Sequence, residues 1–215
     1  LSSVKVKICG ITSILDAKMA VNAGANALGL VFYRQSSRYV TPQIAREISL
    51  AVGSFTVITG LFVNSSKQEI NQVLSQVPLN LLQFHGDESV EFCESFQRPY
   101  MKAIRMRPNI DLDAVFKEFE SASAILLDAY KPGIPGGTGE SFDWQRVPKN
   151  SAKPIVLAGG LTPSNVAMAI QSTGVYAVDV SGGVEVSAGR KDGTKLQEFV
   201  INAQLAHDQL IQKGV

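Results

Sequence analysis

The chain has 215 residues, enough for one large domain or two small ones and for a sizeable buried core. Hydrophobic residues make up 45% and charged residues 18%, which excludes a disordered polar chain, and no apolar run reaches the roughly 18 residues of a membrane-spanning helix. Twenty Lys and Arg against nineteen Asp and Glu give a net charge of +1 with no basic tract, so the chain carries no gross footprint for nucleic acid, while a local positive site could still take a small ligand.

In chain order, the short β-branched or apolar runs are VKVKICG, ALGLVF, TVITGLFVN, LLQFHG, YMKAIR, AILLDAY, PIVLAGG and YAVDVSGG. Their polar or glycine ends fall at Gly10, Phe32, Asn64, Gly86, Arg105, Asp128, Gly160 and Gly183, spacings of 19 to 32 residues that leave room for a helix and two loops. Between them lie helix starts at Thr41-Pro42 and Thr162-Pro163, each an N-cap candidate followed by proline, and at Ser66 with Glu69 in capping-box spacing. Gly24 and Gly174 are placed to end helices as left-handed residues. The sixth connection, KPGIPGGTGESFDW, is a long Pro/Gly-rich loop before a weak helical signal, and loops of that length in compact domains are usually functional.

Eight β-α units predict a single (β/α)₈ barrel over residues 1–215. The rival, a doubly wound open sheet, normally carries a dinucleotide fingerprint after its first strand; KICGIT has one glycine, and no Gly-Lys pair marks a P-loop. The first segment, LSSVKVKICG, lacks signal-peptide features, and Cys9 and Cys93 do not make a disulfide framework, so a reducing cytoplasm is expected.

In a barrel the active groups sit at the C-terminal ends of the strands. Along the first strand Lys5, Lys7 and Cys9 alternate with Val4, Val6 and Ile8, which sends the polar set inward and puts the thiol at the mouth. An isolated cysteine is more often a packed small hydrophobe, but Lys7 and the helix starting after Thr12 would lower its pKa and favour a thiolate. Asp128 ends an apolar strand; it reads as a turn residue or, with its pKa raised by burial, as a general acid. LAGGLTPSNV and DVSGGVE close the seventh and eighth strands. Gly159, Gly160, Ser181, Gly182 and Gly183, with the helix begun at Thr162-Pro163, form the expected phosphate cradle. His85 reads as a strand-end histidine satisfied by hydrogen bonds, Cys93 as core packing in a helix, and the scattered His and Cys give no metal spacing.

The ordered set KICGIT, GLVFY with SSRYV, GLFVN, LLQFHGDE, KAIR, LLDAYKPGIPGGTGESFDW, PIVLAGGLTPSNV and AVDVSGGVE with GRKD resembles the phosphoribosylanthranilate isomerase family almost end to end. The resemblance implies a cofactor-free Amadori rearrangement of N-(5-phosphoribosyl)anthranilate in tryptophan biosynthesis. It also implies Cys9 as general base, Asp128 as general acid, Arg38 facing the anthranilate carboxylate, Asp179 near the ribose, and the Gly159, Gly160, Ser181 and Gly182 backbone on the phosphate. The expected partner is a small phosphoribosyl substrate, with no nucleic acid and no membrane, and the chain is a monomer or homodimer. Two departures from the family pattern, Ser37 before Arg38 and Ala188 before the last helix, stand where proline is common. Two rivals remain: a histidine-pathway isomerase, whose family has a pair of aspartates at strands one and six and is opposed by Cys9, and a silent barrel that only binds a phosphometabolite, opposed by the presence of both Cys9 and Asp128.

Overall fold

The computed structural model describes residues 3–129 and 142–212. Eight parallel strands close a barrel: β1 (Lys5–Cys9), β2 (Ala27–Val31), β3 (Val57–Phe62), β4 (Leu81–Phe84), β5 (Tyr100–Arg105), β6 (Ala124–Asp128), β7 (Ile155–Leu157) and β8 (Ala177–Val180). Each pairs with the next, and β8 returns to β1 in the register Lys5 to Ala177 through Ile8 to Val180, which rules out the open sheet. Around it run α1 (Ile14–Asn22), α2 (Pro42–Ala51), α3 (Lys67–Leu74), α4 (Val90–Glu94), α5 (Leu112–Glu118), α6 (Val166–Thr173) and α7 (Gly193–Gln212).

The period-2 alternation of the strands sorts their side chains as expected. Val4, Val6 and Ile8 join Leu28, Leu82, Phe84, Ile125 and Val178 in the apolar layer between barrel and helices. Each such side chain contributes about 1.5–3 kcal/mol on burial. The barrel interior holds Met101, Ala103, Ala124, Leu126, Val156 and Ala177, yet Lys7, Thr59, Gln83 and Asp179 are also buried there, so part of the interior is polar.

The caps at Thr41 and Ser66 form as predicted: Thr41 accepts from the Ile44 amide, and Ser66 and Glu69 complete a reciprocal capping box, each cap contributing about 0.5–2 kcal/mol. Gly24 (φ 102°) and Gly174 (φ 64°) take left-handed conformations where α1 and α6 stop. The start at Thr162-Pro163 is displaced, because α6 begins at Val166. Asn165 Oδ1 accepts from the Thr162 amide at 2.8 Å and its Nδ2 donates to the Gly160 carbonyl at 2.9 Å, tying residues 162–165 into a turn ahead of the helix. The Thr162 hydroxyl bonds Ser164 instead of capping a backbone N–H.

The sixth unit also departs from the expected repeat. Among the described residues, β6 and β7 are joined by no α-helix, only a 3₁₀ turn at Trp144–Arg146. Val147 (φ −76°, ψ 122°) is held extended ahead of Pro148, which stops the turn. Most of the Pro/Gly-rich loop, residues 130–141, lies outside the described residues. None of the described helices is long and apolar enough to cross a membrane.

Candidate active site

The C-terminal strand ends surround a cavity of about 430 Å³, and all nine residues singled out from the sequence line it: Cys9, Arg38, Asp128, Gly159, Gly160, Asp179, Ser181, Gly182 and Gly183. Val31, Leu61 and Leu161 supply apolar walls.

On one wall, Cys9 ends β1 opposite Gly29 of β2. A Cβ at Gly29 would stand 2.7 Å from Cys9 Sγ, so only glycine leaves room for the thiol there. Below it, buried Lys7 donates from Nζ to Asp179 Oδ1 at 2.9 Å and places its charge beside the Cys9 side chain. Burial works against the Lys7 ammonium, but Asp179 and the facing Cys9 outweigh it and hold Lys7 above its ordinary value. The thiol itself departs from expectation. Lys7 and Lys191 do pull its pKa down, yet burial is the larger effect and, with Asp179 adding to it, pushes Cys9 above the ordinary thiol value. The low-pKa thiolate read from the sequence is thus corrected for the free enzyme, because sequence shows the neighbouring lysine but not the depth at which the sulfur sits.

Asp128 ends β6 on the facing wall. Its Oδ1 accepts from the Ala129 amide at 2.9 Å, and its Oδ2 lies 3.1 Å from His85 Nε2. His85 Nδ1 lies 2.9 Å from Gln83 Nε2. With the Gln83 amide so oriented its nitrogen donates, the ring proton stands on Nε2, and His85 donates to Asp128. Gln83 Oε1 is then buried without a partner.

The two glycine loops approach each other closely. A Cβ on Gly183 would stand 1.9 Å from the Leu161 carbonyl oxygen, and one on Gly159 (φ 83°) 2.4 Å from the Ala129 nitrogen. Gly182–Val184 is a 3₁₀ turn, whose first N–H groups have no acceptor within the turn, and the buried Ser181 Oγ is also unpaired. This is a donor-rich pocket of the kind that takes an anion.

Arg38 reaches the cavity with one edge already engaged: Nε and Nη2 donate to Glu185 Oε1 and Oε2 at 2.8 and 2.7 Å. Asp179, expected beside the ribose, is at the mouth but with one oxygen committed to Lys7. Sequence reading gave no role to Gln83, Glu185 or Lys191 and a bland one to His85. Their only signals were strand-end positions and the GGVE and GRKD segments, since their partners are distant in the chain.

Comparison with known proteins places the chain in a family. A family model described as N-(5'phosphoribosyl)anthranilate (PRA) isomerase matches residues 6–202. An N-(5'-phosphoribosyl)anthranilate isomerase of Cellvibrio japonicus is 59% identical over 214 residues, covering 100% of both chains. Among solved structures, phosphoribosyl anthranilate isomerase from Thermotoga maritima superposes with a TM-score of 0.85 at 40% identity, covering 93% of this chain and 98% of that one. A phosphoribosyl anthranilate isomerase holding reduced 1-(o-carboxyphenylamino)-1-deoxyribulose 5-phosphate gives 0.82 at 38% identity over the same shares.

Proposed function

The chain belongs to the N-(5'-phosphoribosyl)anthranilate isomerase family and is an isomerase of tryptophan biosynthesis, and from that premise we propose how its own residues carry the reaction. Asp128, in its acid form, gives its proton to the furanose ring oxygen as the C1′–O bond breaks, and the anilino nitrogen lone pair forms C1′=N⁺. The cation acidifies the C2′ hydrogen. Cys9 removes it as thiolate, and the C–H electron pair becomes C1′=C2′ while the nitrogen returns to neutrality. The enolamine then moves its hydroxyl proton to C1′, leaving the ketone, and turnover closes when one proton passes from the thiol back to Asp128.

The observation that carries this reading is that a thiol and a carboxyl line one cavity with a pocket of backbone donors between the glycine loops. Lys7 and Lys191 supply the charge that favours Cys9 as an anion against its burial. On the other wall, turning the Gln83 amide gives its unpaired Oε1 the ring proton on His85 Nδ1, which frees Nε2 to accept from protonated Asp128. Gly159, Gly160, Ser181, Gly182 and Gly183 take the phosphate, Asp179 a ribose hydroxyl, and the outer edge of Arg38 the anthranilate carboxylate. All nine residues come from one chain, so we propose that a monomer suffices and that any dimer leaves this chemistry unchanged. The unpaired cysteines fit a cytoplasmic enzyme.

The test is turnover of folded Cys9→Ala and Asp128→Asn with C2′-deuterated substrate, followed by anthranilate fluorescence. The residual rate of Cys9→Ala should carry a larger isotope effect than wild type, and Asp128→Asn should leave the ring closed. Near-normal turnover of either variant would overturn its assignment.

A further inference from the structure

The paired register of β1 and β8 ends at Ile8 and Val180. One residue further on, the carbonyls of Cys9 and Ser181 accept from a single ammonium: Lys191 Nζ lies 2.6 Å from Cys9 O and 3.1 Å from Ser181 O. Its third hydrogen goes to Glu185 Oε1 at 2.9 Å, so every donor of this fully buried group is used. The same Glu185 carboxylate holds Arg38 through Nε and Nη2.

Glu185 and Lys191 face each other across a small hairpin, β9 (Glu185–Ser187) and β10 (Arg190–Lys191). The hairpin is bolted to the loop after β1, to α1 and to α7. Thr12 Oγ1 donates to the Gly189 carbonyl, the Lys191 amide reaches Asp16 Oδ2 at 3.3 Å, and Lys195 Nζ holds the Glu185 carbonyl at 2.9 Å. A guanidinium has two usable forks. The Nε/Nη2 fork is spent on Glu185, and the end-on Nη1/Nη2 fork is left for the cavity.

We propose that Glu185 and Lys191 are positioning residues: Glu185 turns the free fork of Arg38 toward the substrate carboxylate, and Lys191 ties that fork to the backbone of Cys9 and of Ser181. Three handles of the substrate, its carboxylate, its reacting carbon and its phosphate, are thereby held at fixed separations by one buried ammonium that itself touches no substrate. The charges support one another. The Glu185 bond raises the Arg38 pKa, and although burial opposes ionisation of Glu185, Arg38 and Lys191 outweigh it and hold that carboxyl below its ordinary value. Burial pushes Lys191 down, and Glu185 is the largest influence opposing that shift. The inference rests on the reading of Arg38 as the carboxylate contact.

Binding of two unreactive probes tests both. One is reduced 1-(o-carboxyphenylamino)-1-deoxyribulose 5-phosphate, and the other is the same molecule without its carboxylate. Glu185→Gln keeps the side-chain size but turns a donor toward Arg38. It should weaken the carboxylated probe about tenfold and the other by less than about twofold. Arg38→Met should show the same selectivity at larger size. If Arg38→Met weakens both probes equally, the reading of Arg38 fails. If Arg38→Met is selective and Glu185→Gln is not, that reading stands and the positioning inference is overturned.

Lys191→Met should lower kcat about tenfold and shift the pH profile of Cys9 alkylation to higher pH, whereas an unchanged profile overturns its part. Should the variants fold poorly, the Arg38 Nε–H resonance of the wild-type protein decides. It should stay slowly exchanging when the carboxylated probe binds, and rapid exchange would mean that Arg38 leaves Glu185, which overturns the proposal.

Discussion

The two walls of the mouth hold one reactive group each in opposite company. Cys9, on β1, has an ammonium beneath it at Lys7 and another at its own carbonyl from Lys191. Asp128, on β6, is held by an imidazole and one backbone N–H. In the proposed mechanism, the group that becomes an anion is set among cations, and the group that releases a proton is set against a ring that can either donate or accept one. On the proposed chemistry, that asymmetry lets one small cavity keep a base and an acid without either neutralising the other.

The largest test breaks each wall in turn. Cys9→Ala and Asp128→Asn should each lower kcat by about 10²–10⁴-fold. The pH–rate profile should then show which wall is gone: loss of the base removes the fall at low pH, and loss of the acid removes the fall at high pH. Identical profiles for both variants would erase the distinction between the walls.

A second test strips charge from the first wall only. Lys7→Met alone leaves Asp179 buried and unpaired, a loss of about 3–5 kcal/mol in stability, so it is best made together with Asp179→Asn. Lys7 lowers the thiol's pKa and Asp179 raises it by less, so relative to Asp179→Asn alone the double variant should have the higher thiol pKa, and alkylation of Cys9 at neutral pH should slow about tenfold. Alkylation at the rate of Asp179→Asn alone would mean that Lys7 serves packing alone.

His85→Asn addresses the second wall, where it keeps a polar group but loses the ring that joins Gln83 to Asp128. We expect a fall in kcat of about tenfold with little change in KM, measured by steady-state kinetics. A rise in KM with kcat unchanged would place His85 on the substrate instead.

The smallest effect concerns Cys93, the same residue type away from the mouth. Buried in α4 within the apolar layer, its thiol is pushed up to about 12 by burial. A group raised in the folded state stabilises fully below its unfolded pKa and loses that contribution as pH rises toward the folded one. Denaturant midpoints should therefore reveal a loss of about 1 kcal/mol between pH 8 and pH 10 that Cys93→Ala does not share. Cys93 should also resist alkylation in the native protein at pH values where Cys9 reacts.

The barrel and the location of its mouth were legible in the order of residues. Alternation in VKVKIC sent Lys7 and Cys9 inward, strand-end positions picked out Cys9 and Asp128, and doubled glycines marked two loops that meet with no room for a Cβ at Gly183. These are local properties, fixed by a two-residue period and by backbone sterics. The start of α6 escaped because Asn165, three residues past Thr162, folds back on the Gly160 carbonyl. Partnership between distant side chains came from the fold. Lys7 meets Asp179 across 172 residues, Arg38 meets Glu185 across 147, and Lys191 meets the Cys9 carbonyl across 182. Closing β8 onto β1 brings these charges together in a buried seam. Burial there also reverses the expected shift of the Cys9 thiol, because desolvation depends on how deep a group lies and leaves no trace in the order of residues.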